Sequence, residues 1–232
     1  TVSIVAHRSD LDTLRATLSS LASAARFALD GVVSTIKVQV VDNGSGDSYA
    51  RSLAALVRET VFPEGCAIAL HRLPVNRGFG AGHNAALKEV TSRYHLILNP
   101  DMELAAEALA EGVTRLEKDQ TVALLSPYVE GKNGTQEYLC KRHPSVLVLL
   151  LRAFLPRVGR RLFSARLQHY EMSDVCGTVE AGVPMVSGCF MLARTAQLRE
   201  VGGFDEYYFL YFEDFDLSLR LARFGTLLYT PQ

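Results

Sequence analysis

At 232 residues and a formal net charge of −1, the chain suits one large domain with a sizeable core and has no overall field to steer nucleic acid. Its longest apolar run, residues 146–151, is far shorter than the ~20 residues a bilayer crossing needs, so no integral membrane segment is predicted. The four cysteines, Cys66, Cys140, Cys176 and Cys189, are scattered, form no CxxC pair or zinc spacing with the six histidines, and read as free cytosolic thiols.

The chain opens without a secretory signal on Val2–Ala6, an apolar run read as a buried strand that is cut into directly, so upstream residues are expected. Ser9 and Asp10 follow as candidate N-caps, and Ser9-x-x-Asp12 fits a capping box. Leu11, Leu14, Leu18 and Leu21 recur at helical spacing and predict an amphipathic helix to about residue 25. A strand over 37–41 ends in the turn-forming sextet Asp42-Asn43-Gly44-Ser45-Gly46-Asp47, and a helix over 48–57 follows. Residues 67–70 read as a third strand, and the glycine-rich stretch 76–82 as a loop running into a helix over 85–90. A fourth strand, 95–98, stops at Asn99-Pro100-Asp101. Parallel strands need crossover helices, so this alternation through residue 118 predicts an α/β fold with a doubly wound, mostly parallel sheet and helices on both faces. Ligands bind outside the carboxyl ends of such strands, where Asp42, Asn76 and Asp101 all fall, so their loops should converge on one crevice.

After residue 120 the rhythm breaks. Residues 121–129, 179–186 and 190–193 read as strands, the last two around Ser187-Gly188, with a turn at 131–134. A helix over 213–224 ends at Gly225, a plausible C′ position. Residues 138–170 contain no acid but carry Lys141, Arg142, Arg152, Arg157, Arg160, Arg161 and Arg166. With the apolar run 146–151, that segment suits either a surface docking on anionic lipid or a helical subdomain with solvated arginines over an acceptor cleft.

The polar loops carry two readings each. Asn99-Pro100-Asp101 is good turn chemistry with an N-cap aspartate, and equally offers hard oxygen ligands for Mg²⁺ or Mn²⁺ shared with a diphosphate. Asp42 at a strand end is a turn residue or an acceptor for a base or ribose. The run from Asn76, Arg77 and Gly78 to Asn84 has the glycine density of a phosphate cradle, and Arg77 suits a phosphate, but the spacing is not G-x-G-x-x-G. Glu213, Asp214 and Asp216 would cap a helix and complement its dipole; three acids in four residues exceed what a cap needs, which points to acid/base work for one of them.

Five collinear blocks, Val41-Asp42-Asn43-Gly44-Ser45, Asn76-Arg77-Gly78-Phe79-Gly80, Leu98-Asn99-Pro100-Asp101, Val201-Gly202-Gly203-Phe204-Asp205 and Phe212-Glu213-Asp214, resemble the inverting family 2 glycosyltransferases of GT-A fold, in particular the rhamnosyltransferase-like branch. The resemblance implies that Asp42 contacts the nucleotide, with Asn76, Arg77, Gly78 and Asn99 on the donor side. It implies that Asp101 holds Mg²⁺ or Mn²⁺, with Asn99 where an Asp-x-Asp pattern would have its first carboxylate. It makes Asp214 the general base with Glu213 beside it, and puts Ser187-Gly188 and Gly203-Phe204-Asp205 on the sugar and acceptor side.

The implied organisation is a single domain over 1–232, with a nucleotide-binding half (1–120) and an acceptor and catalytic half (121–232). Relatives continue past the final strand, so the sequence reads as truncated. The implied partners are a nucleotide-diphospho-sugar, dTDP-rhamnose foremost, and a saccharide or polyprenyl-diphosphate-linked acceptor. The expected location is the cytoplasm or the inner face of the cell membrane, with peripheral contact and no nucleic acid. A nucleotidyltransferase, which shares the sheet topology, and a non-catalytic sugar-nucleotide-binding module are the rival readings.

Overall fold

A computed structural model describes residues 1–131, 133–154, 162–173 and 180–231, the side chains at 149 and 152–154 excepted. Its first part alternates as read: β1 (Val2–Ala6), α1 (Leu11–Leu29), β2 (Ile36–Asn43), α2 (Asp47–Glu59), β3 (Cys66–Leu73), α3 (Phe79–Leu87), β4 (Tyr94–Leu98) and α4 (Ala108–Lys118). There follow β5 (Val122–Pro127), β6 (Cys140–Lys141), α5 (Val146–Phe154), α6 (Ser164–Glu171), β7 (Ala181–Gly182) and β8 (Met185–Val186). Last come β9 (Phe190–Arg194), α7 (Thr195–Glu200), α8 (Glu213–Leu221) and β10 (Thr226–Thr230).

Among the described residues, eight strands form one sheet in the order β3-β2-β1-β4-β9-β5-β10-β7. β3, β2, β1 and β4 pair in parallel, and β5 pairs in parallel with β10. β9 is the antiparallel insertion between β4 and β5, and β7 runs against β10 at the edge. The sheet is therefore mixed but mostly parallel, as expected.

Alternate strand residues face opposite sides of a sheet, and the two main cores divide accordingly. Leu96, Leu98, Leu125, Leu192 and Leu228 join α1, α2 and α4 in one cluster. Ile97, Leu124, Met191, Leu227 and Tyr229 join Leu217 and Leu221 of α8 in the other. α3 covers the same second face further along, through Ala86 against Val5 and Val41. Both faces are thus buried, which is why β1 and β4 are buried throughout and mostly apolar, interrupted by Ser3 and His95.

Several local expectations are corrected. The N-cap of α1 is Asp10 alone, whose Oδ1 accepts from the Thr13 N–H and hydroxyl, both at 2.8 Å, so no Ser9 capping box forms. The glycine stretch is loop only as far as Gly78: α3 already starts at Phe79. A Cβ on Gly80 would lie 2.6 Å from Phe204 Cβ, and one on Gly82 2.6 Å from Val5 Cγ1. Those glycines let a helix lie close on the sheet, a use that sequence density alone cannot separate from a phosphate cradle. α8 ends at Leu221, and Gly225 is no left-handed C′ residue; its missing Cβ admits the Thr121 carbonyl oxygen, 2.0 Å from where that atom would sit. The run 179–186 splits into β7 on the main sheet and β8, which pairs with β6; residue 179 lies outside the described residues.

In the acid-free segment, α5 and α6 share a small apolar cluster of Val148, Leu167 and Tyr170, while Val146, Leu147, Leu150, Leu162 and Phe163 are exposed. Arg157, Arg160, Arg161 and the Arg152 side chain lie outside the described residues. No helix among the described residues is long and apolar enough to cross a membrane.

Beneath α3 runs a buried polar chain. Ser3 Oγ lies 2.7 Å from His83 Nδ1 and 2.9 Å from His95 Nε2, and His95 Nδ1 lies 2.8 Å from Thr1 Oγ1. Burial pushes His83 down to about 3 and His95 well below the usual 6.5. Because both folded values are depressed, the unfolded chain binds more protons between them and 6.5; stability is present above 6.5 and lost as pH falls. Denaturant titrations at pH 7 and 5 should show a loss of about 2 kcal/mol per buried histidine, and His83→Phe should flatten part of that dependence.

Candidate active site

At the carboxyl edge of the sheet, the loops after β1, β2 and β3 are stitched to one another. Asp42 is fully buried; its Oδ1 accepts from Ser45 N–H at 3.0 Å. Its Oδ2 is buried without a hydrogen-bond partner, and Arg72 Nε stands 3.7 Å away. Asn43 donates to Asn76 Oδ1 (3.0 Å) and Gly78 O (2.8 Å), and accepts from Arg77 N–H (3.0 Å). Asn76 Oδ1 also accepts from Gly78 N–H at 2.9 Å. The Asn76 and Asn43 amides thus build the loop, and the Arg77 guanidinium reaches Glu206 Oε2 at 2.7 Å. From the β1 loop, His7 Nδ1 lies 2.8 Å from Asn43 O, and Arg8, at φ +52°, donates its N–H to Ser45 Oγ (3.0 Å). An open depression of about 430 Å³, lined by Asp42, Asp47, Arg51, Leu70 and Arg72 among others, lies beside Asp42.

On the other side, β9 begins against the end of β4. Asn99 N–H donates to Cys189 O at 3.0 Å, and Asn99 Nδ2 lies 3.5 Å from Cys189 Sγ. Burial raises the Cys189 thiol, and the negative charges of Asp101 and Asp214 raise it further. Asp101 and Asp214, 113 positions apart in the chain by their numbers, thus lie near enough to one thiol for both charges to act on it. Asp214 Oδ2 accepts from Gly188 N–H (3.0 Å) and Oδ1 from Phe215 N–H (2.9 Å). Burial pushes Asp214 above the usual aspartate value, and these backbone donors oppose the rise. Gly188 packs closely on Phe79: its absent Cβ would lie 2.9 Å from that ring, but 3.7 Å from Asp214 Cβ, an ordinary contact.

The three acids of α8 have separate fates. Asp216 is paired to Arg220 Nε at 2.8 Å, and that arginine also holds Val201 O (2.8 Å) and Gly203 O (2.7 Å). Glu213 is buried with Oε2 unpartnered, and burial followed by the Asp214 charge raises its carboxyl. Asp214 is half-buried at the crevice. Gly203 and Phe204 are buried, with Phe204 packed on Phe79 and His83, while Asp205 is exposed.

Asp101 is exposed and has no hydrogen-bond or ion-pair partner among the described residues, in which no three His, Cys, Asp or Glu side chains are placed to hold a metal ion together. One free carboxylate is a poor cage but suits Mg²⁺ or Mn²⁺, which take hard oxygens and complete their shells with water and substrate phosphates. The donor set at Asp101 fits a divalent ion shared with a diphosphate.

A family model described as "Glycosyl transferase family 2" matches residues 1–200. The chain belongs to this family. The curated relatives include N-acetylglucosaminyl-diphospho-decaprenol L-rhamnosyltransferase of Mycobacterium tuberculosis, 27% identical over 215 residues, covering 84% of this chain and 64% of that protein. Rhamnosyltransferase WbbL of Escherichia coli is 27% identical over 163 residues, covering 66% and 58%. The chain thus spans less than two thirds of the length of the curated relatives it matches. Among solved structures, the mannosyltransferase PcManGT from Pyrobaculum calidifontis with GDP-Man and Mn²⁺ superposes at a TM-score of 0.65 and 18% identity, covering 100% of this chain and 54% of that one. S. aureus TarS with UDP-GlcNAc gives 0.60 and 17%, covering 100% and 58%. These neighbours establish the GT-A fold.

Arg8, Arg72, Cys189 and Glu206 also border this family 2 site, and no sequence motif points to them. Arg72 lies on β3 beyond residue 70, where the expected third strand stops. β3 is a sheet edge of half-buried residues, so its apolar signal stops before its backbone does. Cys189 and Glu206 carry no local signal, since their partners come from distant elements.

Two glycines at positive φ separate strain from crowding. A Cβ on Gly44 (φ +69°) would sit 2.2 Å from the Val75 backbone, whereas one on Gly46 (φ +93°) meets nothing. Gly46→Ala should cost about 1 kcal/mol and Gly44→Ala clearly more; equal losses in denaturant midpoints would contradict the stitched-loop account.

Proposed function

We propose that this chain carries the donor-binding and catalytic machinery of an inverting glycosyltransferase that moves L-rhamnose from dTDP-rhamnose to a saccharide on a polyprenyl diphosphate, in bacterial surface polysaccharide synthesis. The names of the curated relatives support the sugar and the acceptor. The observation that carries the catalytic reading is the Asp214 carboxylate, raised by burial and held by the Gly188 N–H.

In this reading the nucleotide lies along the edge formed by the loops after β1, β2 and β3. Asp42 Oδ2, buried and unpartnered, accepts from the base or ribose, with Arg72 beside it; an orphan acceptor of this kind needs a donor from somewhere. The backbone around Asn76, Arg77 and Gly78 shapes the diphosphate side together with Asn99. Asp101 would hold Mg²⁺ or Mn²⁺, which when bound neutralises charge on the departing diphosphate. Asp214 takes the proton of the acceptor hydroxyl as it attacks the anomeric carbon from the face opposite the leaving group. Burial keeps its carboxylate under-solvated and basic, while the two backbone donors keep it aimed. Glu213, next to it on α8, is buried with one carboxyl oxygen lacking a hydrogen-bond partner.

The exposed apolar residues Val146, Leu147 and Leu150 of α5 and Leu162 and Phe163 before α6, within the acid-free, arginine-rich run 138–170, support peripheral contact with an anionic membrane face, where a lipid-linked acceptor resides.

Two experiments test the reading. Thermal melts with dTDP, UDP, GDP and ADP, each with and without Mn²⁺ or Mg²⁺, should give a metal-dependent rise with dTDP, near 2.7 kcal/mol of stabilisation at ~100 times Kd. Asp101→Ala should remove the metal dependence; a metal-independent response to every nucleotide would defeat the assignment. Asp214→Asn should keep dTDP binding while lowering transfer by ~10²–10⁴-fold. The wild-type rate should rise with pH through a carboxyl value above the ordinary 3.8, because only the deprotonated form acts as base. Wild-type transfer by Asp214→Asn would reject Asp214 as the base.

A further inference from the structure

The stretch from Asp205 to Phe212 leads straight into the helix that carries Asp214, yet little of it is packed. Tyr207 is 91% exposed, Tyr211 73%, Phe209 55% and Leu210 53%. It ends in two consecutive non-glycine residues at positive φ, Tyr211 (+69°) and Phe212 (+70°). Such backbone persists only when its surroundings hold it, and burial does not hold it here.

What does hold it is a set of ties to the start of α3. Glu206 Oε2 accepts from Arg77 Nη2 at 2.7 Å, and Glu206 Oε1 from Asn84 Nδ2 at 3.2 Å. Asn84 also bonds the Phe204 backbone on both sides, donating to its carbonyl and accepting from its N–H, each at 2.8 Å. Phe79 N–H donates to Phe209 O at 3.1 Å, and Gly78 leaves room for that carbonyl, which would lie 2.4 Å from a Cβ there. Both oxygens of one carboxylate thus grip the segment that also shapes the donor loop.

We infer that Glu206 and Arg77 are a positioning pair: their contact fixes the strained approach to α8 and so sets where the Asp214 carboxylate points, coupling the donor loop to the base. The pair acts through Asp214 and touches no reacting atom. The inference rests on the reading of Asp214 as base. An exposed ion pair adds little to global stability, so its variants should fold and the effect should appear in turnover.

The test uses the full protein with dTDP-rhamnose and an N-acetylglucosaminyl-diphospho-polyprenol acceptor. Glu206→Ala should lower kcat on the order of 10- to 100-fold, the scale expected when a catalytic group is slightly misplaced, and leave the donor KM nearly unchanged. Glu206→Gln, which keeps the Asn84 contact, should fall between. Unchanged kcat in Glu206→Ala, a rise in donor KM alone, or a Glu206→Gln variant no better than Glu206→Ala would each overturn the pairing. Amide exchange separates this failure from failure of the base assignment. In Glu206→Ala the N–H groups of Phe79, Gly188 and Phe215 should exchange faster, and Glu206→Gln should restore them in part, even if Asp214→Asn proves fully active. Unaltered exchange at all three overturns the coupling.

Discussion

Everything at this site depends on how closely α3 lies against its neighbours. Gly82 lets the helix sit on Val5 of β1, Gly80 seats it on Phe204, and Gly78 admits the Phe209 carbonyl. Each contact is at a distance that a methyl group would occupy, so three glycines are spent on close approach. The consequence is mechanical. One short helix touches the first strand, the donor-side loop and the segment leading to α8, and it brings together residues from opposite ends of the chain.

The electrostatics of the crevice follow from which acids that packing leaves uncommitted. Asp216 is neutralised by Arg220, whose guanidinium also ties Val201 and Gly203 carbonyls, so it serves the architecture. Asp42 is divided: one oxygen closes its turn and the other is buried without a hydrogen-bond partner, facing Arg72. Asp101 projects from the strand end into solvent. Asp214 sits between these extremes, withdrawn enough from water for its carboxyl to rise and aimed by backbone N–H groups that leave it able to accept a proton. Four carboxylates of similar intrinsic acidity thus acquire four different environments within one group of loops.

Much of this was legible in the residues. Helical leucine spacing, apolar runs broken by Asp-Asn-Gly or Asn-Pro-Asp, and their alternation determined by themselves the order of elements, the mostly parallel sheet and the edge on which polar loops converge. They did so because periodicity and turn chemistry are local, and because parallel strands admit few connections. Membership of the glycosyltransferase family was likewise present in five short blocks. Tertiary structure alone decided the rest. Gly80 and Gly82 proved to be helix rather than loop because Phe204 and Val5 stand where their side chains would be. Arg77 faces Glu206, a residue 129 positions away. Three adjacent acids took different roles because Arg220, Gly188 and the core each claimed one. A sequence states which groups are available; which of them remain free to do chemistry is set by partners that only the folded chain brings within 3 or 4 Å.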